Sequence, residues 1–330
     1  MIDKVESVWD AVGNTPLIRI KSLSEITGCS IYGKAEFLNP GGSIKDRAAK
    51  GIIKEGEESG DLQPGGTIVE GTAGNTGTGL ATLAAERGYN VIISVPETQS
   101  DEKFQTLEAL GAEIRKIGSY SFDDERHYYH QGRIIAGEIE GGFWADQFNN
   151  LANYRVHYET TGTEIWEQTE HEIDILTLAA GTGGTIAGVS NYLKEQDENV
   201  SVVLADPQGS GLLSYFRTGE MHGEGSSVTE GIGITRLTSN FEKARIDSGM
   251  RVTDQNMIDR LYHIARYDGL LIGTSSAVNL YTAYRLGIDN RNSGKTIVTF
   301  ICDHGSRYQS RIFNPRWLEE QNLTPQPLDS

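Results

Sequence analysis

Apolar residues fall into two alternating kinds of segment along this chain, and polar or glycine-rich stretches separate them. Short runs rich in Val and Ile are typical of strands buried on both faces, whereas apolar residues repeated every three or four positions indicate amphipathic helices. The predicted strands span 17–20, 31–37, 67–70, 91–95, 113–117, 173–179, 202–205 and 296–302. The predicted helices span 45–59, 75–87, 102–110, 122–138, 154–169, 185–196, 254–266 and 276–285. This alternation predicts an α/β fold with parallel strands joined by right-handed crossovers.

The length of the chain and its charge narrow the class of protein. With 330 residues the chain exceeds the roughly 250–300 at which one hydrophobic core usually stops growing, so two domains are expected. Lys and Arg number 29 and Asp and Glu number 46, which gives a formal charge of −17. Nucleic-acid backbones require a clustered positive surface, so no nucleic-acid partner is expected. The excess of acidic over basic residues favours a protein that acts on small molecules.

Neither a membrane segment nor a metal site is expected from the sequence. No stretch approaches the roughly 18 uninterrupted apolar residues of a transmembrane helix, and the first residues contain no apolar signal region. The two cysteines, Cys29 and Cys302, and the seven histidines show no metal-ligand spacing. Such sparse cysteine use suits a reducing compartment, so we expect a cytoplasmic protein without membrane association and without a metal.

Glycine is enriched, with 39 residues, and its clusters lie between predicted elements, where backbone can approach a ligand closely. The first cluster, Asn39-Pro-Gly-Gly-Ser-Ile-Lys45, delivers one lysine to the start of a predicted helix. The positive end of the helix dipole disfavours an ammonium there and lowers the pKa of the lysine, as a Schiff-base nucleophile requires. A surface lysine after a turn is the alternative for this loop taken alone.

Three further glycine loops open predicted helices. The loop from Glu70 to Gly77 presents backbone N–H groups that suit an anion such as a carboxylate, and Glu70 itself is assigned no chemistry. The loop Gly181-Thr-Gly-Gly-Thr185 carries the strongest phosphate signal, although a tight strand-to-helix turn explains it equally well. In Gly273-Thr-Ser-Ser-Ala277 the serines either cap the helix or hydrogen-bond a ligand.

Nucleotide-binding motifs are not satisfied by these loops. A dinucleotide fingerprint that began in either strand-to-helix loop would need a glycine at the position of Thr82 or Ile186. The sequence Ser293-Gly-Lys-Thr296 is similar to the end of a P-loop, but Asp289 stands where that motif has its first glycine. Neither NAD nor ATP is therefore expected as a ligand.

Taken together, the four loops resemble those of the fold-type-II pyridoxal-phosphate enzymes of the cysteine synthase and cystathionine β-synthase family, such as O-acetylserine sulfhydrylase. The resemblance runs from Asn14-Thr-Pro-Leu17 to about Asn314. It implies a tryptophan-synthase-β-like α/β fold of two domains, each with a central, mostly parallel sheet. It also implies a smaller, mobile domain, 45–151, with the substrate carboxylate loop, and a larger cofactor-binding domain, 1–44 with 152–330. A homodimer is implied in the same way.

The same resemblance assigns roles to residues of the four loops. Lys45 resembles the catalytic lysine that binds the cofactor aldehyde, and Ser275 resembles the serine that faces the pyridine nitrogen. The implied binding residues for the cofactor, pyridoxal 5′-phosphate, are Lys45, Asn75, Gly181, Thr182, Gly183, Gly184, Thr185 and Ser275. The implied substrate-binding residues are Thr72, Ala73, Gly74, Asn75, Thr76, Gln147 and, in the loop 230–233, Gly231.

These residue types are consistent with β-replacement on a serine-type amino acid. A neutral serine at the pyridine nitrogen makes the ring a weaker electron sink, so loss of the α-proton favours expulsion of the β-substituent and gives an aminoacrylate. Lys45 is the expected general base of this step. Addition of sulfide gives cysteine, so the resemblance implies cysteine synthesis from O-acetylserine and sulfide.

One departure from the family pattern leaves the substrates open. Ala73 stands where O-acetylserine enzymes commonly have a serine, so the β-substituent can be that of O-acetylserine, O-phosphoserine, serine or cysteine. The alternatives are a cysteine desulfhydrase or β-lyase that releases sulfide, an enzyme of the cystathionine β-synthase type, and a non-catalytic partner that regulates another enzyme. An intact Lys45 and a complete phosphate loop argue against the last of these.

Overall fold

The structure, a computed structural model, describes residues 4–99 and 101–327. Strands β1 to β10 are Leu17–Arg19, Ser30–Ala35, Thr67–Gly71, Asn90–Pro96, Glu113–Ile117, Gly142–Trp144, Ile175–Leu178, Ser201–Pro207, Ser248–Val252 and Thr296–Ile301. Helices α1 to α12 are Lys21–Thr27, Lys45–Ser59, Asn75–Arg87, Asp101–Ala109, Tyr128–Glu138, Ala152–Val156, Thr163–Gln168, Gly184–Gln196, Leu212–Thr218, Asp254–Tyr267, Thr274–Asp289 and Pro315–Glu320. A π-helical turn, His157–Gly162, lies between α6 and α7. Within the described residues, no helix combines the length and the apolar character needed to cross a lipid bilayer.

The chain forms two compact units, and each is built from two segments of the sequence. Unit 1 consists of Met1–Gly13, of which residues 4–13 are described, and Asn39–Val156. Unit 2 consists of Asn14–Leu38 and His157–Ser330, described as far as residue 327. The sequence-based division differs from these limits mainly in placing the start of the chain in the larger domain. Residues 4–13 lie in unit 1 because Val12 is buried in its core and Trp9 stacks with the Arg87 guanidinium, 4.4 Å from the ring centre.

Unit 1 contains a four-stranded parallel sheet in the order β5-β4-β3-β6. Successive residues of its central strands face opposite sides of the sheet. Ile68 and Ile93 lie in the core that α2 and α3 share, whereas Val69 and Ile92 pack with Ala136 of α5. Both faces are therefore covered, which explains the unbroken apolar runs. Because β3 and β6 are parallel neighbours, the loops that follow them lie at the same edge of the sheet.

Unit 2 contains a six-stranded sheet in the order β1-β2-β10-β7-β8-β9. Only β1 is antiparallel to its neighbour among these strands. Strand β10 pairs Ile297 with both Ile31 of β2 and Ile175 of β7, so the two ends of the chain meet in one sheet. Helices α10 and α11 share one hydrophobic core with these strands. The mainly parallel sheets of both units confirm the predicted fold class.

Two predicted helices differ from the structure. The predicted helix 122–138 begins only at Tyr128, because the His127 side chain caps α5 by accepting a hydrogen bond from the Tyr129 N–H. The predicted helix 154–169 is divided into α6, the π-helical turn and α7. Strands β6 and β9 and helices α1, α9 and α12 have three to seven residues, too few to show a period, and the hydrophobic pattern does not predict them.

Candidate active site

Lys45 is the first residue of α2, and hydrogen bonds fix the turn that precedes it. The Gly42 N–H donates to the Asn39 carbonyl oxygen (2.7 Å), and Gly42 has a φ of +79°, which favours glycine. The Lys45 N–H donates to Ser43 Oγ (3.2 Å). The Lys45 residue is half-buried, unlike a lysine on an open surface turn. The hydrogen-bonded turn therefore fixes the backbone from which the Lys45 side chain extends.

The first turns of α2 and α3 pack closely against each other within unit 1. A Cβ at Gly79 would lie 3.1 Å from the Lys45 carbonyl oxygen, so a larger residue would push the two helices apart. Asn75 is the first residue of α3 and lies about one turn before Gly79. Unit 1 therefore places two of the predicted cofactor-binding residues, Lys45 and Asn75, at the starts of neighbouring helices.

The loop that precedes α3 leaves space at the start of the helix. Gly74 occupies the N-cap position and has no side chain to cap the first backbone N–H groups. The Gly74 N–H donates to Thr72 Oγ1 (3.2 Å), and the Ala73 carbonyl oxygen accepts a hydrogen bond from Lys103 Nζ (3.4 Å). A Cβ at Gly74 would have no heavy atom within 4 Å. Open space beside the N–H groups of a helix start suits a carboxylate.

Gln147 is joined to this loop through buried side chains. It follows β6, whose carboxyl end lies beside that of β3. Thr76 Oγ1 donates to Gln147 Oε1 (2.5 Å), and Gln147 Nε2 donates to Glu70 Oε1 (3.1 Å). Unit 1 thus brings together Gln147 and Thr76, two residues that are far apart in the sequence and that the resemblance assigns to substrate binding.

Glu70 belongs to the same chain of hydrogen bonds, although no role for it is predicted from the sequence. It is fully buried, and burial together with the nearby Asp146 carboxylate raises the pKa of Glu70 to about 8. The hydrogen bond from Gln147 opposes this shift. Glu70 is therefore protonated at neutral pH. The available signal in the sequence was an acidic residue at the end of an otherwise apolar strand.

In unit 2, the loop 181–183 and the first turn of α8 form a cradle of backbone after β7. Helix α8 begins at Gly184, one residue earlier than predicted. Gly183 has a φ of +88°, and a Cβ there would lie 2.5 Å from the Phe241 backbone nitrogen. Thr238 Oγ1 donates to the Thr182 carbonyl oxygen (2.7 Å) and holds the loop from outside. Backbone N–H groups at a helix start beyond the carboxyl end of a parallel strand suit a phosphate.

The loop 230–233 packs against this cradle. A Cβ at Gly181 would collide with the carbonyl oxygen of Gly231. The Glu230 N–H donates to Thr274 Oγ1 (3.3 Å) at the start of α11. Unit 2 therefore brings the phosphate loop, the loop 230–233 and the start of α11 together, although they are far apart in the sequence.

Ser275 lies in the first turn of α11 between two residues whose hydroxyls bind backbone. Thr274 Oγ1 accepts the hydrogen bond from Glu230, and Ser276 Oγ accepts one from the Cys302 N–H (2.9 Å). Thr274 and Ser276 have no exposed surface, whereas Ser275 is 7% exposed. Of the three residues, Ser275 is the one that offers a surface to a ligand.

His157 is a further residue at the cradle, and the sequence analysis does not single it out. It is buried in the π-helical turn, where its Nδ1 lies 2.9 Å from Thr161 Oγ1. Its Nε2 lies 3.1 Å from Thr185 Oγ1, in the first turn of α8. The four-residue spacing of His157 and Thr161 is visible in the sequence, but their contact with Thr185 follows only from the fold.

Each unit, taken by itself, contains groups that match parts of pyridoxal 5′-phosphate. An aldehyde requires an amine, which Lys45 supplies, and a phosphate requires an anion cradle, which the loop 181–183 and the start of α8 supply. A pyridine nitrogen requires a hydrogen-bonding partner such as Ser275. A Cβ at Gly181 or Gly183 would meet the backbone of Gly231 or Phe241, so the packing of this loop against unit 2 requires glycine at both positions. In the part of the chain that the structure describes, no group of three His, Cys, Asp or Glu side chains is placed to hold a metal ion.

Comparison with known proteins identifies the family of this chain. Residues 8–303 match the model of the pyridoxal-phosphate dependent enzyme family. Cysteine synthase 1 of Neurospora crassa is 48% identical over 318 residues, which cover 95% of this chain and 84% of that protein. Cysteine synthase of Dictyostelium discoideum is 45% identical over 335 residues, which cover 98% and 88% of the two chains. Cystathionine beta-synthase of Apis mellifera is 38% identical over 319 residues, covering 96% of this chain and 63% of that protein.

A solved structure shows the same architecture. A hydrogen sulfide-producing enzyme of Fusobacterium nucleatum superposes with a TM-score of 0.84 and 30% sequence identity, covering 92% of this chain and 100% of that one. The similarity to these proteins thus extends along nearly the whole chain. The chain belongs to the family of pyridoxal-phosphate-dependent enzymes that contains the cysteine synthases.

Proposed function

We propose that this protein synthesises cysteine by β-replacement, with an activated serine such as O-acetylserine as amino-acid substrate and sulfide as nucleophile. Pyridoxal 5′-phosphate is the cofactor. The observation that carries the proposal is the 45–48% identity to cysteine synthases over nearly the whole chain. The open start of α3 beside Thr76 and Gln147 supports it, because an amino-acid substrate presents a carboxylate.

The residues of unit 1 hold the amino acid and move its proton. The loop 72–76 and Gln147 bind the carboxylate and so fix the position of the α-carbon. When bound, pyridoxal phosphate supplies an electron sink for negative charge at that carbon. Lys45 would hold the cofactor aldehyde until the amino group of the substrate replaces it there, and its freed Nζ would then take the α-proton as general base and later return it.

The residues of unit 2 hold the cofactor and determine how strongly its pyridine ring withdraws electrons. The cradle from Gly181 to Thr185 binds the phosphate, and Asn75 of unit 1 binds the ring oxygen. Ser275 offers a neutral hydroxyl to the pyridine nitrogen. A hydroxyl stabilises a protonated pyridine less than a carboxylate does, so Ser275 would keep the ring a weaker electron sink and would favour departure of the β-substituent with its bonding electrons. Sulfide then forms the new bond at the β-carbon.

A second candidate function is the release of sulfide from cysteine. The Fusobacterium nucleatum neighbour, whose architecture the chain shares, is a hydrogen sulfide-producing enzyme. Ala73 leaves this alternative open, since it removes a hydroxyl beside the substrate at a position where O-acetylserine enzymes commonly have a serine. A cystathionine β-synthase-type reaction, in which a thiol replaces sulfide, is supported by the 38% identity to the Apis mellifera enzyme.

Product analysis with defined donors tests the proposal. The cofactor-loaded enzyme is incubated with O-acetylserine, O-phosphoserine, serine or cysteine, each with and without sulfide. Cysteine formation from O-acetylserine and sulfide, with parallel lines in double-reciprocal plots, supports the proposal. Faster release of sulfide from cysteine alone favours the second candidate. An absence of turnover with every donor would contradict both functions and favour a regulatory binding partner.

The assembly and compartment proposed here are a cytoplasmic homodimer without nucleic-acid or membrane partners. The formal charge of −17 supports the absence of a nucleic-acid partner. Leu38, Tyr267 and Leu271, all in unit 2, are large apolar residues that are 45–72% exposed, and an interface would cover such residues. Light scattering on the cofactor-loaded protein should give twice the mass of the chain, and cell fractionation should recover the protein in the cytosol.

A further inference from the structure

Glu70 is a buried acid at the end of a three-residue chain that leads to the substrate loop. Thr76 Oγ1 donates to Gln147 Oε1, and Gln147 Nε2 donates to Glu70 Oε1. Gln147 is 4% exposed, Thr76 is 1% exposed and Glu70 has no exposed surface. Both ends of the Gln147 amide are therefore engaged, so its oxygen is directed to Thr76 and its nitrogen to Glu70.

The surroundings of Glu70 favour its neutral form. Its Oε2 makes no hydrogen bond among the described residues, so an ionised carboxylate would have a poorly solvated buried oxygen. Burial and the Asp146 charge raise the pKa of Glu70 and outweigh the nearby backbone N–H groups of Asp146 and Gln147, which lower it. Asp146, which follows β6, adds negative charge and is held by Tyr129 of α5, whose Oη donates to Asp146 Oδ1 (3.0 Å). Helix α3 and strand β4, which also pack against β3, each place a neutral hydroxyl here: Thr76 Oγ1 donates to Gln147, and Ser94 Oγ donates to the backbone carbonyl oxygen of Glu70.

We infer that Glu70 is a positioning residue for the amino-acid substrate: as a neutral acid it fixes the Gln147 amide and adds no charge to that of Asp146 near the carboxylate loop. Ionisation of Glu70 would increase the negative charge near the loop that binds the substrate carboxylate. Because the pKa of Glu70 lies near 8, this change falls in an accessible range. The inference rests on the proposed function, since it assigns the substrate carboxylate to the loop 72–76.

The test compares three variants with the wild-type holoenzyme. Glu70→Gln keeps a neutral acceptor of the same shape, Glu70→Met keeps the size but removes the acceptor, and Glu138→Gln changes an exposed glutamate of α5 as a control. The dissociation constant of the amino acid is measured through the cofactor absorbance, and steady-state kinetics give kcat and the KM of each substrate. Binding is measurable even where no product forms, so a failure of the proposed function is distinguishable from a failure of this inference.

At about pH 7, Glu70→Gln and Glu138→Gln should bind the amino acid within about twofold of wild type, and Glu70→Met should bind it about tenfold more weakly. The kcat and the KM of sulfide should change by less than about twofold in all three. From about pH 7 to pH 9, binding should weaken several-fold more in wild type than in Glu70→Gln.

Three results would overturn the inference. They are unchanged amino-acid binding in Glu70→Met, a Glu70→Gln variant as impaired as Glu70→Met, and a loss confined to kcat. If Glu70→Met does not fold, the pH dependence of amino-acid binding is compared between wild type and Glu70→Gln alone. An identical pH dependence in these two proteins would overturn the inference.

Discussion

His157 Nε2 lies 3.1 Å from Thr185 Oγ1, so a buried imidazole of the π-helical turn supports the first turn of α8. The other ring nitrogen lies 2.9 Å from Thr161 Oγ1, in the same π-helical turn. In an α-helix, Thr161 would lie one regular turn after His157. The π-helical turn is wider, so the side chains of these two residues point in other directions than they would in an α-helix. The loop proposed to bind the phosphate is therefore held by a residue outside the loop itself.

Replacing His157 should weaken cofactor binding. In His157→Asn the Thr185 hydroxyl loses its buried partner, which costs about 1–3 kcal/mol and corresponds to a roughly 5–100-fold higher dissociation constant for pyridoxal phosphate. Titration of the apoprotein, followed by absorbance, measures this constant. His171→Asn, at an exposed histidine of unit 2, is the control and should bind the cofactor as wild type does. Equal cofactor affinity in folded His157→Asn would contradict the supporting role.

Replacing Lys45 should remove the covalent attachment of the cofactor. Lys45→Ala should lack the visible absorption band of the lysine-bound cofactor, and its turnover should fall by about 10²–10⁴-fold through loss of the general base. Lys54→Ala is the matched control, because Lys54 lies on the same helix and pairs with Glu58 at an exposed surface. A Lys45→Ala variant that still yields a cofactor-labelled lysine after borohydride reduction would show that another lysine serves.

A methyl group at Gly74 should report whether a ligand occupies the space at the start of α3. No heavy atom lies within 4 Å of a Cβ at Gly74, so Gly74→Ala should change the free energy of unfolding by less than about 0.5 kcal/mol. The kcat/KM for the amino acid should nevertheless fall by up to about 10²-fold, since the methyl displaces the substrate carboxylate.

Gly137→Ala is the control for this variant. A Cβ at Gly137, in α5, also meets open space, and alanine in a helix interior should stabilise the protein by about 0.5–1 kcal/mol. Its kinetics should be those of wild type. If Gly74→Ala also has wild-type kinetics, the carboxylate does not bind at this helix start.

The contribution of Glu70 to the free energy of unfolding should decrease as the pH rises from about 5 to 8. The pKa of Glu70 is raised from 4.5 in the unfolded chain to about 8 in the folded one, so in this interval the folded state binds the additional proton. The free energy of unfolding therefore falls by up to about 1.4 kcal/mol per pH unit through this group alone. Thermal unfolding of wild type and Glu70→Gln across this interval gives the difference between their free energies of unfolding. As the pH rises, this difference should narrow or reverse in favour of the variant. A constant difference would indicate an ordinary carboxyl at this position.

The elements that carry the site are those that the sequence predicts best. Helices α2 and α3 have the predicted bounds, because glycine-rich turns fix their starts and Gly60 and Gly88, both with positive φ, end them. The four glycine loops are predicted from the sequence for the same reason. A backbone that closely approaches another group requires glycine, and a cluster of glycines is visible in the sequence. The resemblance then names Gln147, and the structure adds its hydrogen bond with Thr76.

The residues that the sequence misses depend on contacts between distant segments. Glu70 is an ordinary strand-end residue until β6 brings Gln147 and Asp146 beside it. His157 becomes informative only when the predicted helix is divided by a π-helical turn that no periodicity marks. The membership of residues 4–13 in unit 1 likewise depends on Val12 and Trp9, two apolar residues in a short segment without a period.

The alternation of the two units along the chain sets an order of events during synthesis. The segments of unit 1 are complete once Val156 has left the ribosome, whereas β2 must wait for its neighbour β10, which is made last. Until then the β1–β2 hairpin presents an open edge, and such edges associate with wrong partners. From the completion of unit 1 until β10 is made, the nascent chain therefore carries an aggregation-prone hairpin, and residues 17–35 are the segment at which chaperone protection would act.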